Sequence, residues 1–154
     1  MPSRRDQIKM SDEELRDFLA EQMIVSCATT GPKGRPHLVP LWYVPDGVEM
    51  TGWTYRKSQK AKNLERDPRA TLQVEDGVQY HELRGVMLEC DVELENDAER
   101  VADYGLSLFR RYTGAELTGD AREGVLAQAP KRVGLRFVPT RIVSWDHGKL
   151  GGTY

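Results

Sequence analysis

Along the 154-residue chain the spacing of apolar and polar positions changes several times, and each change marks an element. Ser11 and Glu14 have the spacing of a capping box, with Met10 and Leu15 as the flanking apolar pair. Leu15, Phe18 and Leu19 follow at helical spacing and predict a helix from Ser11. Residues 23–29 read as a strand, residues 30–36 as a glycine- and proline-rich turn, and residues 37–44 as a second strand. Pro45-Asp46-Gly47 is a tight-turn signal leading into a third strand, residues 48–54. A short helix over residues 59–66 ends at Asp67-Pro68, because the residue before proline is pushed out of the helical region. Residues 70–75 form a fourth strand, and Asp76-Gly77 turns the chain into a long strand over residues 78–94. In its second half Val86, Leu88, Cys90, Val92 and Leu94 alternate with Met87, Glu89, Asp91 and Glu93, so one face is buried and one is wet. A long helix capped by Asn96 or Asp97 carries Val101, Tyr104, Gly105, Leu108 and Tyr112 at helical spacing. A shorter helix over residues 121–128 precedes the last strand, residues 132–145, in which Pro139 marks a bend or an edge.

Six short strands, mostly antiparallel, favour a small closed or nearly closed barrel, since closure removes exposed edges. The length suits a single domain over residues 1–154, with tails at 1–10 and 148–154. With 39% apolar and 30% charged residues, the chain is too apolar for disorder and too polar for a membrane span. The N-terminus is charged and lacks the apolar core of a signal peptide, so a cytoplasmic protein is expected. A net charge of −2 argues against a chain-wide nucleic-acid footprint. Cys27 and Cys90 sit in apolar runs and read as buried thiols rather than a disulfide or redox pair. His37, His81 and His147 have no metal-ligand spacing, so no metal site is expected. Dinucleotide-binding, P-loop, zinc-protease and nucleophile-elbow signatures are missing from the sequence.

One segment stands out by charge. Arg56, Lys57, Lys60, Lys62, Arg66 and Arg69 face only Glu65 and Asp67 over residues 56–69. These cations follow a strand and open a helix, where free backbone N–H groups and the helix dipole favour a phosphate. Ser58 suits either a cap or a phosphate donor, and Lys60 with Arg56 or Lys57 supplies charge. The same pattern also suits a solvated basic helix. Trp42, Tyr43, Trp53 and Tyr55 flank the segment and suit either core or a ring-binding barrel mouth.

Gly34-Arg35-Pro36-His37-Leu38-Val39-Pro40, followed by Ser58-Gln59-Lys60-Ala61-Lys62-Asn63-Leu64-Glu65-Arg66-Asp67-Pro68-Arg69-Ala70, resembles the pyridoxamine-phosphate-oxidase-like flavin and deazaflavin proteins. Their pattern runs G-x-P, then S-x-K-x-x-N-L-x-x-x-P-x-A, and Tyr80, Arg84-Gly85 and the Trp145 strand also fit over roughly residues 11–147. The resemblance implies a mainly β fold with α, a six-stranded antiparallel split β-barrel with flanking helices. It further implies a homodimer with a cofactor at the subunit interface. Lys60 would grip the cofactor phosphate, with Ser58, Asn63, Lys57 and Arg56 nearby. The backbones of His37, Val39 and Pro40, and of Gly52, Trp53 and Thr54, would flank the ring, and Val78 and Tyr80 would line the groove from the same or the partner chain. Members that bind flavin mononucleotide (FMN) often carry arginine where Gln59 stands, so the deazaflavin coenzyme F420 branch is the closer likeness. The implied activity is hydride transfer between reduced F420 and a small organic acceptor, a conjugated alkene or imine. An FMN-dependent oxidoreductase and a non-catalytic cofactor-binding module are the alternatives. Arg56, Tyr80 and His37 are the candidates for polarising the acceptor or donating a proton.

Overall fold

The structure is a computed structural model and describes residues 1–152. Its strands are β1 (Val25–Thr30), β2 (Pro36–Leu41), β3 (Val44–Asp46), β4 (Glu49–Tyr55), β5 (Arg69–Asp76), β6 (Arg84–Glu95) and β7 (Arg132–Asp146). They form one antiparallel sheet in the order β2-β1-β5-β6-β7-β4-β3. The helices are α1 (Arg4–Ile8), α2 (Asp12–Glu21), α3 (Gln59–Arg66), α4 (Ala98–Thr113) and α5 (Gly119–Gln128). The fold is thus a curled antiparallel sheet with helices, of the split-barrel type.

The sheet begins and ends on one stretch of chain. β2 and β3, its two outer strands, are consecutive and separated only by Trp42 and Tyr43. The strand expected over residues 37–44 is therefore broken in two, which is why six expected strands appear as seven. β2 pairs with β1 and β3 with β4, so the break at Trp42-Tyr43 is the corner that joins the two ends of the curled sheet. Tyr43 is fully buried there, its hydroxyl 2.6 Å from Leu19 O and 2.8 Å from Gln22 O. Arg111 donates to Tyr43 O, Ala20 O and Gln22 O, which satisfies carbonyls at the α2 C-terminus that the helix itself leaves open. Tyr112 donates to Met23 O and stacks on Trp42 with ring centroids 4.1 Å apart.

The core follows the alternation along the strands. Val25 and Cys27 of β1, Leu72 and Val74 of β5, Val86, Leu88, Cys90 and Val92 of β6, and Leu135 and Phe137 of β7 turn inward. Phe18 and Leu19 of α2 and Leu64 of α3 close the ends. Ser11 caps α2 in the expected box with Glu14. Both thiols are free and buried, and burial pushes Cys27 up to about 11 and Cys90 up to about 12. Pro139 lies at an irregularity where Glu89 faces Arg141 and Cys90 faces Pro139, so Thr140 bulges and donates to Glu89 O.

Three boundaries differ most from the sequence expectation. The long strand begins at Arg84, because Gly77 turns with φ +95° and Tyr80–Glu82 forms a 3₁₀ turn. The expected N-terminal tail carries α1, and Met10 is buried with its N–H donating to Ser144 Oγ. The expected C-terminal tail contains a 3₁₀ turn, His147–Leu150, from which Lys149 bridges Lys9 O and Glu14; Thr153 and Tyr154 lie outside the described residues.

Candidate functional site at the split

α3 plugs one end of the barrel. Its inward face is Lys60, Ala61, Asn63 and Leu64, while Lys62 and Glu65 face solvent. Ser58 caps the helix by accepting from Ala61 N at 3.1 Å. Lys60 is only 6% exposed, and its Nζ donates to Thr54 Oγ1 at 3.0 Å. Thr54 Oγ1 lies in turn 3.3 Å from Ser58 Oγ. Burial holds the Lys60 ammonium below the usual lysine range, and nearby Arg132 adds to the effect. Asn63 donates to Thr29 Oγ1 at 3.0 Å and accepts from Gln59 Nε2 at 2.7 Å. Thr54, Ser58, Lys60, Asn63 and Thr29 are thereby brought to one barrel end.

The register opens a split at this end. β3 pairs with β4 only from Glu49 to Thr51, so Gly52 to Tyr55 run on with β7 on one side and no strand on the other. β2 likewise pairs only with β1. Its prolines, Pro36 and Pro40, have no N–H to donate and face the unpaired side, which blunts that edge against further strands. The unpaired edges of β2 and β4 meet near the corner, where a Cβ on Gly52 would lie 3.3 Å from Trp42 O. They are spanned at the other end by α3, which bonds to Thr54 of β4 and Thr29 of β1. His37, paired across from Thr29, sits beside this end with its Nδ1 buried and unpartnered in the described structure. His37, Val39 and Pro40 thus form one lip of the split, and Gly52, Trp53 and Thr54 the other.

Other expected site residues are placed differently. Arg56 donates to Asn96 Oδ1 at 2.9 Å and Asn96 O at 3.1 Å, tying the loop to the end of β6. Lys57 is exposed beside it. The Trp53 indole lies under α4, against the open Cα face of Gly105. Only the backbone of Trp53 is therefore available to the split. Val78 and Tyr80, 85% and 58% exposed, follow the far end of β5. Eight extended residues of β5 separate them from α3, about 25 Å. Within one chain they do not reach the Lys60 end. A groove of about 380 Å³ on the outer face, lined by Thr30, Pro36, Arg69, Thr71, Glu89 and Thr140, contains none of the expected site residues.

Arg132 is a residue at the mouth that the sequence reading did not single out. Its guanidinium lies 3.6 Å from the Tyr55 ring centroid and 4.8 Å from that of Trp53, and it donates to Gln128 Oε1 at 2.7 Å. The pairing of Tyr55 with Arg132 places it there, and a register between distant strands leaves no local sequence signal.

A family model described as Pyridoxamine 5'-phosphate oxidase matches residues 11–146. The chain belongs to this family. Among solved structures it is similar to the conserved hypothetical protein Rv2991 from Mycobacterium tuberculosis, at 43% identity and TM-score 0.89, covering 99% of this chain and 95% of that one. It shares its fold with an F420 reductase at 23% identity and TM-score 0.64, covering 82% and 94%. It also shares it with the heme storage protein HutZ from Vibrio cholerae at 18% identity and TM-score 0.66, covering 86% and 93%. No curated protein matches the chain. No helix among the described residues is long and apolar enough to cross a membrane.

Proposed function

We propose that this family member is a coenzyme F420-dependent reductase that passes a hydride between reduced F420 and a small conjugated alkene or imine. The observation that carries the reading is the split itself, two unpaired strand edges with a capped helix and a cationic loop at the mouth. A planar ring fits between such edges, and its anionic arm fits the charged mouth. Lys60 supports the fit: its ammonium is buried and makes no ion pair among the described residues. Exposed Lys57 and Lys62 spread positive charge outward instead of closing on one phosphate, and Gln59 stands where FMN members often carry arginine. That favours an extended anionic cofactor over a monophosphate.

When bound, the deazaflavin supplies the hydride chemistry. Ser58, the first turn of α3 and Lys57 hold and orient its anionic arm. The backbones of His37, Val39 and Pro40 and of Gly52 and Thr54 flank the ring and exclude water from one side. If Tyr80 lines the groove, its distance of about 25 Å from α3 along β5 requires the partner subunit of a homodimer to complete each groove.

Titration of the purified protein with F420 and with FMN, followed by tryptophan fluorescence, tests the cofactor. Quenching by F420 and none by FMN is expected. Binding of FMN alone replaces the reading with an FMN-dependent one, and binding of neither overturns both. Bound F420 that no acceptor oxidises leaves a cofactor-binding module.

A further inference from the structure

We infer that His147 is a positioning residue for Tyr80, and that the C-terminal turn His147–Leu150 is a strut that fixes the segment over residues 78–82. That segment has little packing of its own. Every residue in it is exposed, Val78 and Tyr80 by 85% and 58%. Hydrogen bonds rather than apolar contacts therefore decide its shape. Asp76 closes the base, accepting from Arg84 at 2.9 Å and from Gly77 N at 2.8 Å. Within the segment, Glu82 accepts from Gln79 N at 3.3 Å. A further hold comes from the other end of the chain. His147 N donates to Leu83 O at 2.9 Å, and His147 Nδ1 lies 2.9 Å from Tyr80 O. The Tyr80 and His147 rings meet edge-on, with centroids 4.6 Å apart. One residue thus grips the main chain at Tyr80 and Leu83 and also sets the direction of the Tyr80 ring.

The strut is itself anchored. Asp146 accepts from Gly148 N at 2.9 Å, and Lys149 donates to Lys9 O at 3.0 Å and to Glu14 at 2.7 Å. The hold therefore runs from the first turn of α2 through the C-terminal turn to Tyr80. A carbonyl oxygen only accepts, so His147 Nδ1 carries the hydrogen and the neutral ring keeps its lone pair on Nε2. An exposed aromatic ring held in one pose has less freedom to lose when a ligand covers it. That Tyr80 lines a groove rests on the proposed function; the grip of His147 on the segment does not.

Two sets of measurements keep these apart. In the cofactor-free protein with the ring neutral, imidazole nitrogen NMR should show hydrogen on Nδ1 and a lone pair on Nε2. Hydrogen on Nε2 instead overturns the strut whatever the protein binds. His147→Leu should speed amide exchange over residues 78–83 and leave the β6 core unchanged. His147→Asn, whose side-chain amide puts a donor where Nδ1 stands, should restore the protection. Unchanged exchange in His147→Leu overturns the strut. In binding, whichever of F420 and FMN the wild type takes serves as the probe. His147→Leu should weaken it about tenfold, His147→Asn much less, and His147→Leu with Tyr80→Ala no more than Tyr80→Ala alone, because His147 acts through Tyr80. Losses that multiply in the double variant place the action of His147 elsewhere, and intact affinity in His147→Leu leaves it a purely structural part. Either overturns the proposal. If neither cofactor binds, the proposed function falls, and the tautomer and exchange results alone decide the strut.

Discussion

A Cβ built on Gly105 would lie 2.3 Å from the Trp53 ring, so α4 approaches β4 this closely only because the residue is glycine. Gly105→Ala should therefore cost about 1–3 kcal/mol despite alanine's better helix propensity, a balance readable by urea denaturation. An unchanged midpoint would mean that the helix rides outward without loss. Cys27 gives a prediction in pH. Its thiol titrates near 9 when free and is pushed up to about 11 in the barrel, where burial disfavours the thiolate and neighbouring Lys60 only partly offsets it. Between those values the unfolded chain has lost the proton and the folded chain keeps it. Stability from this group is thus complete below pH 9 and is lost as pH rises toward 11. Between pH 8 and 10.5 the wild type should lose about 2 kcal/mol more than Cys27→Ala, measured by denaturant unfolding at both pH values. Equal losses would show that the thiol does not carry the alkaline sensitivity.

At the level of elements, the segment between β5 and β6 shows where local pattern stops informing. Val78 and Tyr80 alternate with polar residues as a strand would, and the expected strand began there. Gly77 decides otherwise: with φ +95° it sends the chain into a tight turn, and a Cβ on it would lie 2.4 Å from Glu82 O. Gly77→Ala should cost about 1–2 kcal/mol and raise amide exchange over residues 77–83 while leaving the β6 core amides protected. Protection unchanged in that turn would mean the turn tolerates a side chain. α2, α3 and α4 were legible because their caps and apolar stripes are local: Ser11 with Glu14, Ser58 before α3, Asp97 before α4. The break at Trp42-Tyr43 was not, since Arg111 and Tyr112, about seventy positions later, hold it open. Arg132 went unseen for the same reason: the partner that places it, Tyr55, is 77 positions earlier in the chain. The basic segment was legible as a helix start, but that Lys60 would turn inward depended on Thr54 facing the barrel interior.

For the whole molecule, the proposed homodimer asks one groove to draw on both ends of β5. Ser58 and Thr54 lie at the α3 end, and Tyr80 lies about 25 Å away along the strand. A two-fold dimer whose axis crosses β5 at right angles would meet this, since it sets one end of the strand against the opposite end of its copy. The arrangement predicts complementation between two defective chains. Ser58→Ala together with Thr54→Val disables the mouth, and Tyr80→Ala disables the far segment, so each homodimer should bind cofactor poorly. In an equal mixture that has been unfolded and refolded together, half the dimers are mixed, and each mixed dimer has one groove built entirely from unaltered residues. About a quarter of the wild-type binding capacity should return, at wild-type affinity. If α3 and Tyr80 of the same chain formed the groove, every groove in the mixture would carry a defect and none would return. If Tyr80→Ala alone left binding intact, Tyr80 would lie outside the groove and the dimer would lose its main argument. Refolding the two variants separately before mixing supplies the control, since capacity should then stay low until subunits exchange.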